Sequence, residues 1–452
     1  MAEGDWQTAR LIPTSGISGP EEQERRASSA LLAVVAAVKE FGRALLGPLG
    51  APAGSLQTYI EVPFDLDGRR VIPDGLIRAT RGQRSWTVLV EVKTGANCLQ
   101  ASQLEDYLDV ARENGFDGVL TVSNEIPSIP GMHPTAVDKR KLRKAALHHL
   151  SWTQVLTDAV VQQVHRGVSD PDQSWILSEL IRYLEHPKSG AMEFEDMGAS
   201  WVAVRNGVRS GTLKASDRAI AEVVGRWDQL IRYSCLRLGR ELGTAVQTVL
   251  TRKEMADPAG RTQALVAALL GSGAMSAQLR IPNTVGPIEV RTDLRAGQVC
   301  CSIEIEAPGQ GRTTTRVNWL VRQLREAPED LRVEASYLRG RAGVAELLKV
   351  VRERPEALVE DSKKELTRFR LTLTVPMGTK RGQGRGSFVH SVLSGLDVFY
   401  RTVVQHLKPW TPPPPKLREQ ESLETTTETE AGIGASGRDS TDIQAQLIPQ
   451  QD

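Results

Sequence analysis

Two alternating apolar runs on either side of a short basic turn place the tightest constraint on this chain. Val71 to Ala79 and Trp86 to Lys93 flank Arg81-Gly82-Gln83-Arg84 and read as the two strands of a hairpin closing around Gly82-Gln83. In that register, paired positions have numbers that add to 165, so Asp74 stands opposite Glu91. Residues directly opposite in a hairpin point to the same face, with Cβ atoms roughly 4.5–5.5 Å apart. Lys93, two positions beyond Glu91, shares that face, while Val88, Val90 and Val92 point the other way.

Two carboxylates held side by side resist joint ionisation. A divalent cation removes that penalty, and Mg²⁺ typically takes one or two carboxylates together with waters and a substrate phosphate. Asp74 and Glu91 are therefore candidate metal ligands, with the backbone carbonyl of Val92 a further one. An ion held there would acidify a bound water and stabilise charge building on a phosphate. Lys93 is suited to orient or deprotonate that water, or to neutralise the phosphorane. The competing reading, an exposed salt-bridged hairpin face, accounts neither for Pro73 nor for two acids landing opposite each other.

The flanks predict a small α/β unit. Gly19-Pro20-Glu21-Glu22 is a helix start, and Leu31, Val34, Val35, Val38, Phe41 and Leu45 recur at helical spacing up to Gly47-Pro48. Gln57 to Phe64 is a first strand ahead of the hairpin. A helix over Asn97 to Asn114, a strand over Gly118 to Val122 and an edge strand over His148 to Trp152 follow, with His148-His149 read as surface or strand-edge residues.

The stretch Pro73-Asp74 followed by Glu91-Val92-Lys93 resembles the PD-(D/E)XK nuclease superfamily, and the order helix, three strands, helix, strand resembles its restriction-endonuclease-like core. The resemblance covers roughly Glu21 to Trp152, about a third of the chain. It implies cleavage of nucleic acid with Mg²⁺ or Mn²⁺. Gln103 and Tyr107 look like the Gln-three-residues-Tyr motif of the exonuclease-like branch, which implies contact with the substrate backbone or support of the lysine. Many members also turn a Glu of the first helix toward the metal, a part that falls here on Glu24.

The fold class expected is α/β: a flexible lead-in (1–19), the nuclease-like domain (20–152), a helical connector (153–213) with two helices over 153–200, and a second, α+β domain (214–408). Within that domain Val344 to Arg352 reads as helical. The basic, glycine-rich loop Gly378 to Gly386 could lie along a phosphate backbone through Lys380, Arg381 and Arg385. Residues 409–452 are Thr-, Glu- and Gln-rich and read as a disordered acidic tail. From Thr411 on, three Lys/Arg against eight acids leave that tail at −5 and the remainder at +6, compatible with a nucleic-acid partner. The four cysteines lack zinc-knuckle spacing, and no apolar run approaches the ~20 residues of a membrane span. Leu31 to Val38 belongs to a helix and not to a leader, so the expected location is cytoplasmic.

The residues thus point to a Mg²⁺- or Mn²⁺-dependent nuclease, DNA favoured over RNA, in defence or DNA processing. The second domain would serve substrate recognition, a protein partner or self-association. The alternative is a catalytically silent nuclease-like module that binds nucleic acid or supports assembly.

Overall fold

The computed structural model describes residues 11–13, 16–338, 343–359, 365–382, 384–412 and 414. Most of the expected lead-in and of the expected tail lies outside these residues. Helix α1 (Pro20–Ala37) starts with proline in its first turn and buries Leu31, Val34 and Val35. The helical spacing does not continue as one rod to Leu45. Val38 turns to φ −100°, ψ 95°, and α2 (Lys39–Leu46) begins there and packs back. Gly42 permits this, since a Cβ at that position would stand 2.4 Å from the Val35 carbonyl oxygen.

Strand β1 (Ser55–Ile60) is shorter than its alternation predicts. Glu61 takes a left-handed φ of 50°, which ends the pairing, and Phe64 opens a separate ribbon of β2 (Phe64–Leu66) and β3 (Arg69–Val71). Likewise β4 (Gly75–Arg81) begins only after Pro73, which has no N–H to give to a ladder. It closes the hairpin with β5 (Arg84–Val92). Helix α3 (Ala101–Glu113), β6 (Gly118–Ser123) and β7 (Ala146–Ser151) complete a five-stranded sheet of order β1-β4-β5-β6-β7. Its first three strands are antiparallel and its last three parallel.

Both faces of this sheet are covered. Val88, Val90, Val92, Ile77 and Val122 pack against α1 and α2, together with α4 (Trp152–Val160) and α5 (Pro171–Leu184). Leu76, Leu89 and Val119 pack against Leu104, Tyr107 and Leu108 of α3 on the other face. The two helices expected over 153–200 are α4, which runs on as a π turn (Val161–Arg166), and α5. Helix α6 (Trp201–Ser210) was not foreseen.

Helix α7 (Arg218–Leu242) then leads through β8 (Gln247–Thr248), α8 (Arg252–Ala256) and α9 (Pro258–Ser272) into a second sheet. Its strands are β9 (Ala274–Arg280), β10 (Ile288–Asp293) and β11 (Gln298–Glu306), followed after α10 (Thr313–Gln323) by β12 (Arg332–Tyr337) and β13 (Val344–Leu347). After α11 (Leu348–Glu353) come β14 (Leu366–Pro376) and α12 (Phe388–Thr402). The sheet order is β13-β12-β14-β11-β10-β9-β8, with every pair antiparallel. The helix expected over Val344 to Arg352 is therefore a strand for its first four residues, with Val344 paired to Ala335. β-branched Val344 suits a strand, and Gly343 lets the chain enter against the Ala335 carbonyl, where a Cβ would stand at 1.6 Å.

The mixed α/β class thus holds. Residues up to Trp410 belong to one compact unit, whose two sheets meet where α4 packs on α7 and the Thr157 hydroxyl donates to the Leu236 carbonyl at 3.3 Å. Among the described residues no helix is long and apolar enough to cross a membrane.

Candidate active site

The hairpin has the register read from the sequence. Gly75 pairs with Val90 and Arg81 with Arg84, so Asp74 and Glu91 stand opposite each other one step beyond the last ladder pair. Asp74 is held by a hydrogen bond from the Val92 amide to its Oδ2 at 2.7 Å, and its carbonyl accepts from Glu61 N–H at 3.1 Å. Glu91 is 1% exposed, and the Lys93 ammonium engages its Oε1 at 2.8 Å, while Oε2 meets no well-aligned donor. An under-bonded oxygen on a buried carboxylate is costly, and such groups ordinarily have a ligand or a proton to account for them.

Lys93 itself is fixed from several sides. Its amide donates to the Val122 carbonyl at 2.8 Å, and its carbonyl accepts from the Trp152 indole at 2.9 Å. Its ammonium also reaches Glu24 Oε2 on α1 at 3.3 Å. The other Glu24 oxygen accepts from Asn97 Nδ2 at 2.5 Å. Glu24 is therefore at the site, and its oxygens are engaged by Lys93 and Asn97. The loop carrying Asn97 is in turn tied down by Gly95 N–H on the Gly190 carbonyl at 2.9 Å. Gly190 sits at φ +77°, and a Cβ there would stand 2.4 Å from the Gln23 side chain.

Burial pushes both carboxyls up. Asp74 is raised by desolvation against the opposing pull of the Val92 amide and Lys93. Glu91 is raised to about 7, by burial first and then by the Asp74 charge. Burial alone would depress Lys93, but Glu91, then Glu24 and Asp74, hold it above its ordinary value. Near neutrality the pair can thus hold a proton that a divalent cation would displace.

On α3, Gln103 Nε2 donates to the Tyr107 hydroxyl at 2.8 Å, and that hydroxyl donates to the Ile72 carbonyl at 3.3 Å, two residues before Asp74. Tyr107 is buried, and burial followed by the Glu91 charge raises its pKa. The pair ties α3 to the chain just ahead of Asp74, and among the described residues no hydrogen bond joins either side chain to Lys93. The basic loop lies elsewhere. Arg381 pairs with Asp196 at 3.0 Å, and among the described residues no contact joins Lys380, Arg381 or Arg385 to Asp74, Glu91, Lys93 or Glu24. Asp196 and Asn97 line one cavity of about 510 Å³, so the loop reaches a neighbouring rim.

His148 and His149 lie on β7, the edge strand of the sheet, as the sequence implied. Thr121 stands beside Glu91 in the parallel register, and His149 beside Thr121. The Thr121 hydroxyl lies 2.8 Å from both His149 Nδ1 and His133 Nε2, and His149 Nε2 lies 2.8 Å from the Glu125 carbonyl. His149 is thus a half-buried edge residue tied to two neighbouring segments, and burial depresses it to about 4. The sequence did not reveal the parts played by Asn97, Trp152 and Gly190. Only Asn97 carried a signal, since it closes the Thr94 to Asn97 turn that follows Lys93.

Among the described residues no group of three or more His, Cys, Asp or Glu side chains forms a ready metal cage. Two carboxylates with waters are nonetheless a sufficient protein contribution for Mg²⁺. The under-bonded Oε2 of Glu91 beside Asp74 fits that group. Comparison with protein-family models, curated proteins and solved structures returns no match to this chain.

Proposed function

We propose that this chain is a metal-dependent nuclease of the PD-(D/E)XK type, with a restriction-endonuclease-like fold in its N-terminal third, acting on DNA in preference to RNA in defence or DNA processing. The observation that carries the proposal is the facing carboxylate pair, with Glu91 buried and its Oε2 short of a donor, and Lys93 2.8 Å from its Oε1. Asp74 and Glu91 would hold a Mg²⁺ or Mn²⁺ ion, which when bound acidifies water and offsets charge on the phosphate. Lys93, poised by Glu24, orients the attacking water and neutralises the developing oxyanion. Water oxygen bonds to phosphorus as its proton passes to solvent, the P–O ester bond breaks, and the leaving oxygen takes a proton from solvent. Gln103 and Tyr107 keep the Asp74 turn in place.

The test is incubation of the full chain with plasmid and linear DNA in Mg²⁺ or Mn²⁺. Wild type should cut and Lys93→Ala should not; equal nicking by the two would overturn the proposal. One observation favours a second reading, a nuclease-like binding module without turnover. Lys93 already lies against both Glu91 and Glu24, so part of the site's negative charge is balanced without a cation. Mn²⁺ titration separates the two, because a pure binder has no metal site to lose in Asp74→Ala.

A further inference from the structure

We propose that the groove between α1 and the end of β1 receives the strand that is cut, with Arg25 binding a phosphate next to the scissile one. This rests on the nuclease reading above. The groove is a cavity of about 340 Å³ whose walls include Arg25, Arg26, Ser29, Ile60, Glu61 and Asp74. Asp74 forms part of its wall, so the groove reaches the carboxylate pair from the Asp74 side.

The two arginines differ in how they are engaged. Arg26 donates to the Pro13 carbonyl at 2.7 Å and to Glu22 at 2.5 Å, so it is committed to the fold. Arg25 is 70% exposed and pairs at 3.3 Å with Glu61, itself 54% exposed. An exposed pair of this kind contributes little and exchanges readily for a better anion. Glu61 is held in that place at a conformational cost. Its φ of 50° is a left-handed backbone that non-glycine residues rarely adopt, and such outliers concentrate at functional sites. From there its amide binds the Asp74 carbonyl while its carboxylate covers Arg25. Glu61 acts as a placeholder for the phosphate.

Charge makes the exchange conditional. Arg25 and Arg26 are outnumbered by Glu22, Glu61 and Asp74, so the groove carries one net negative charge and repels a phosphate. A divalent cation on Asp74 reverses that sign. Binding of the polyanion therefore follows binding of the metal. Ile60, 55% exposed at the same groove, offers an apolar surface to a sugar or base.

The test is fluorescence anisotropy of a labelled DNA duplex with the full chain in Ca²⁺, across a salt series. Arg25→Glu should weaken binding at least about tenfold and flatten the salt dependence by about one phosphate contact. Glu61→Gln should tighten binding severalfold and lower the metal concentration required. Arg43→Glu, the same charge change on exposed α2, controls for net charge, and circular dichroism controls for folding. An Arg25→Glu effect no larger than that of Arg43→Glu overturns the groove. If wild type still cuts DNA while Lys93→Ala does not, the nuclease reading survives that result. Wild type that neither binds nor cuts DNA with metal overturns both.

Discussion

The two sheets of this molecule treat charge in opposite ways. In the five-stranded sheet both faces are packed, and at the rim of the hairpin Glu91 is buried with its bonding incomplete. In the seven-stranded sheet one face is packed and the other is polar, and its charges find each other. Arg370 reaches Glu289, Glu304 and Ser302, and Arg368 reaches Glu304, all partly exposed. The buried Asp228 of that half is paired twice over, accepting from Arg261 Nε at 3.0 Å and Nη2 at 2.7 Å. A satisfied network needs no ligand to explain it. An unsatisfied one is where a ligand is to be sought.

That contrast can be broken at several points. Asp74→Asn should lower metal-dependent DNA cleavage by at least about 10³-fold with the fold intact, read as initial rates on plasmid. Arg261→Leu should leave cleavage chemistry untouched yet destabilise the protein by about 3–5 kcal/mol in urea unfolding, because it strands Asp228 as a buried, unpaired charge. If both substitutions merely unfold the chain, the distinction between a working and a structural ion pair fails.

Glu91→Gln sharpens the same point. Glu91 sits at about 7 in the fold against an ordinary 4.5, so between those values the folded state keeps a proton that the unfolded state has released. Its contribution is full below 4.5 and is lost as pH rises through 7, so the metal-free protein should weaken over that window. Glu91→Gln should flatten this dependence and stabilise the protein by about 1–3 kcal/mol at pH 8, while abolishing Mn²⁺ binding by calorimetry. The smallest effect belongs to the open face of the second sheet. Arg370→Ala should cost less than about 1 kcal/mol in thermal unfolding, and a larger loss would mean that its pairs are not the exchangeable surface pairs their exposure implies.

Much of the first sheet was legible because its signals are local. The Gly82-Gln83 turn and the period-two alternation define a register that every later pair obeys. Where one short-range signal competed with another, the reading slipped. Helical spacing carried past Val38 because nothing in it marks Gly42 as a contact point, and Val344 to Leu347 looked helical because its partner β12 is set by tertiary pairing. The edge position of His148 and His149 was legible, but their neighbours were not, since Thr121, His133 and Glu125 come from separate segments of the chain.

By itself the sequence determined the hairpin, its register, and hence that Asp74, Glu91 and Lys93 share one face. Those follow from turn geometry and strand pleat over some twenty residues. Only the tertiary structure decided how they are used. It brought Glu24 and Asn97 around Lys93, set the Tyr107 brace under the Asp74 turn, and buried Glu91 with one oxygen short of a donor. Burial depends on every layer packed around a site, and it is burial that raises the two facing carboxyls.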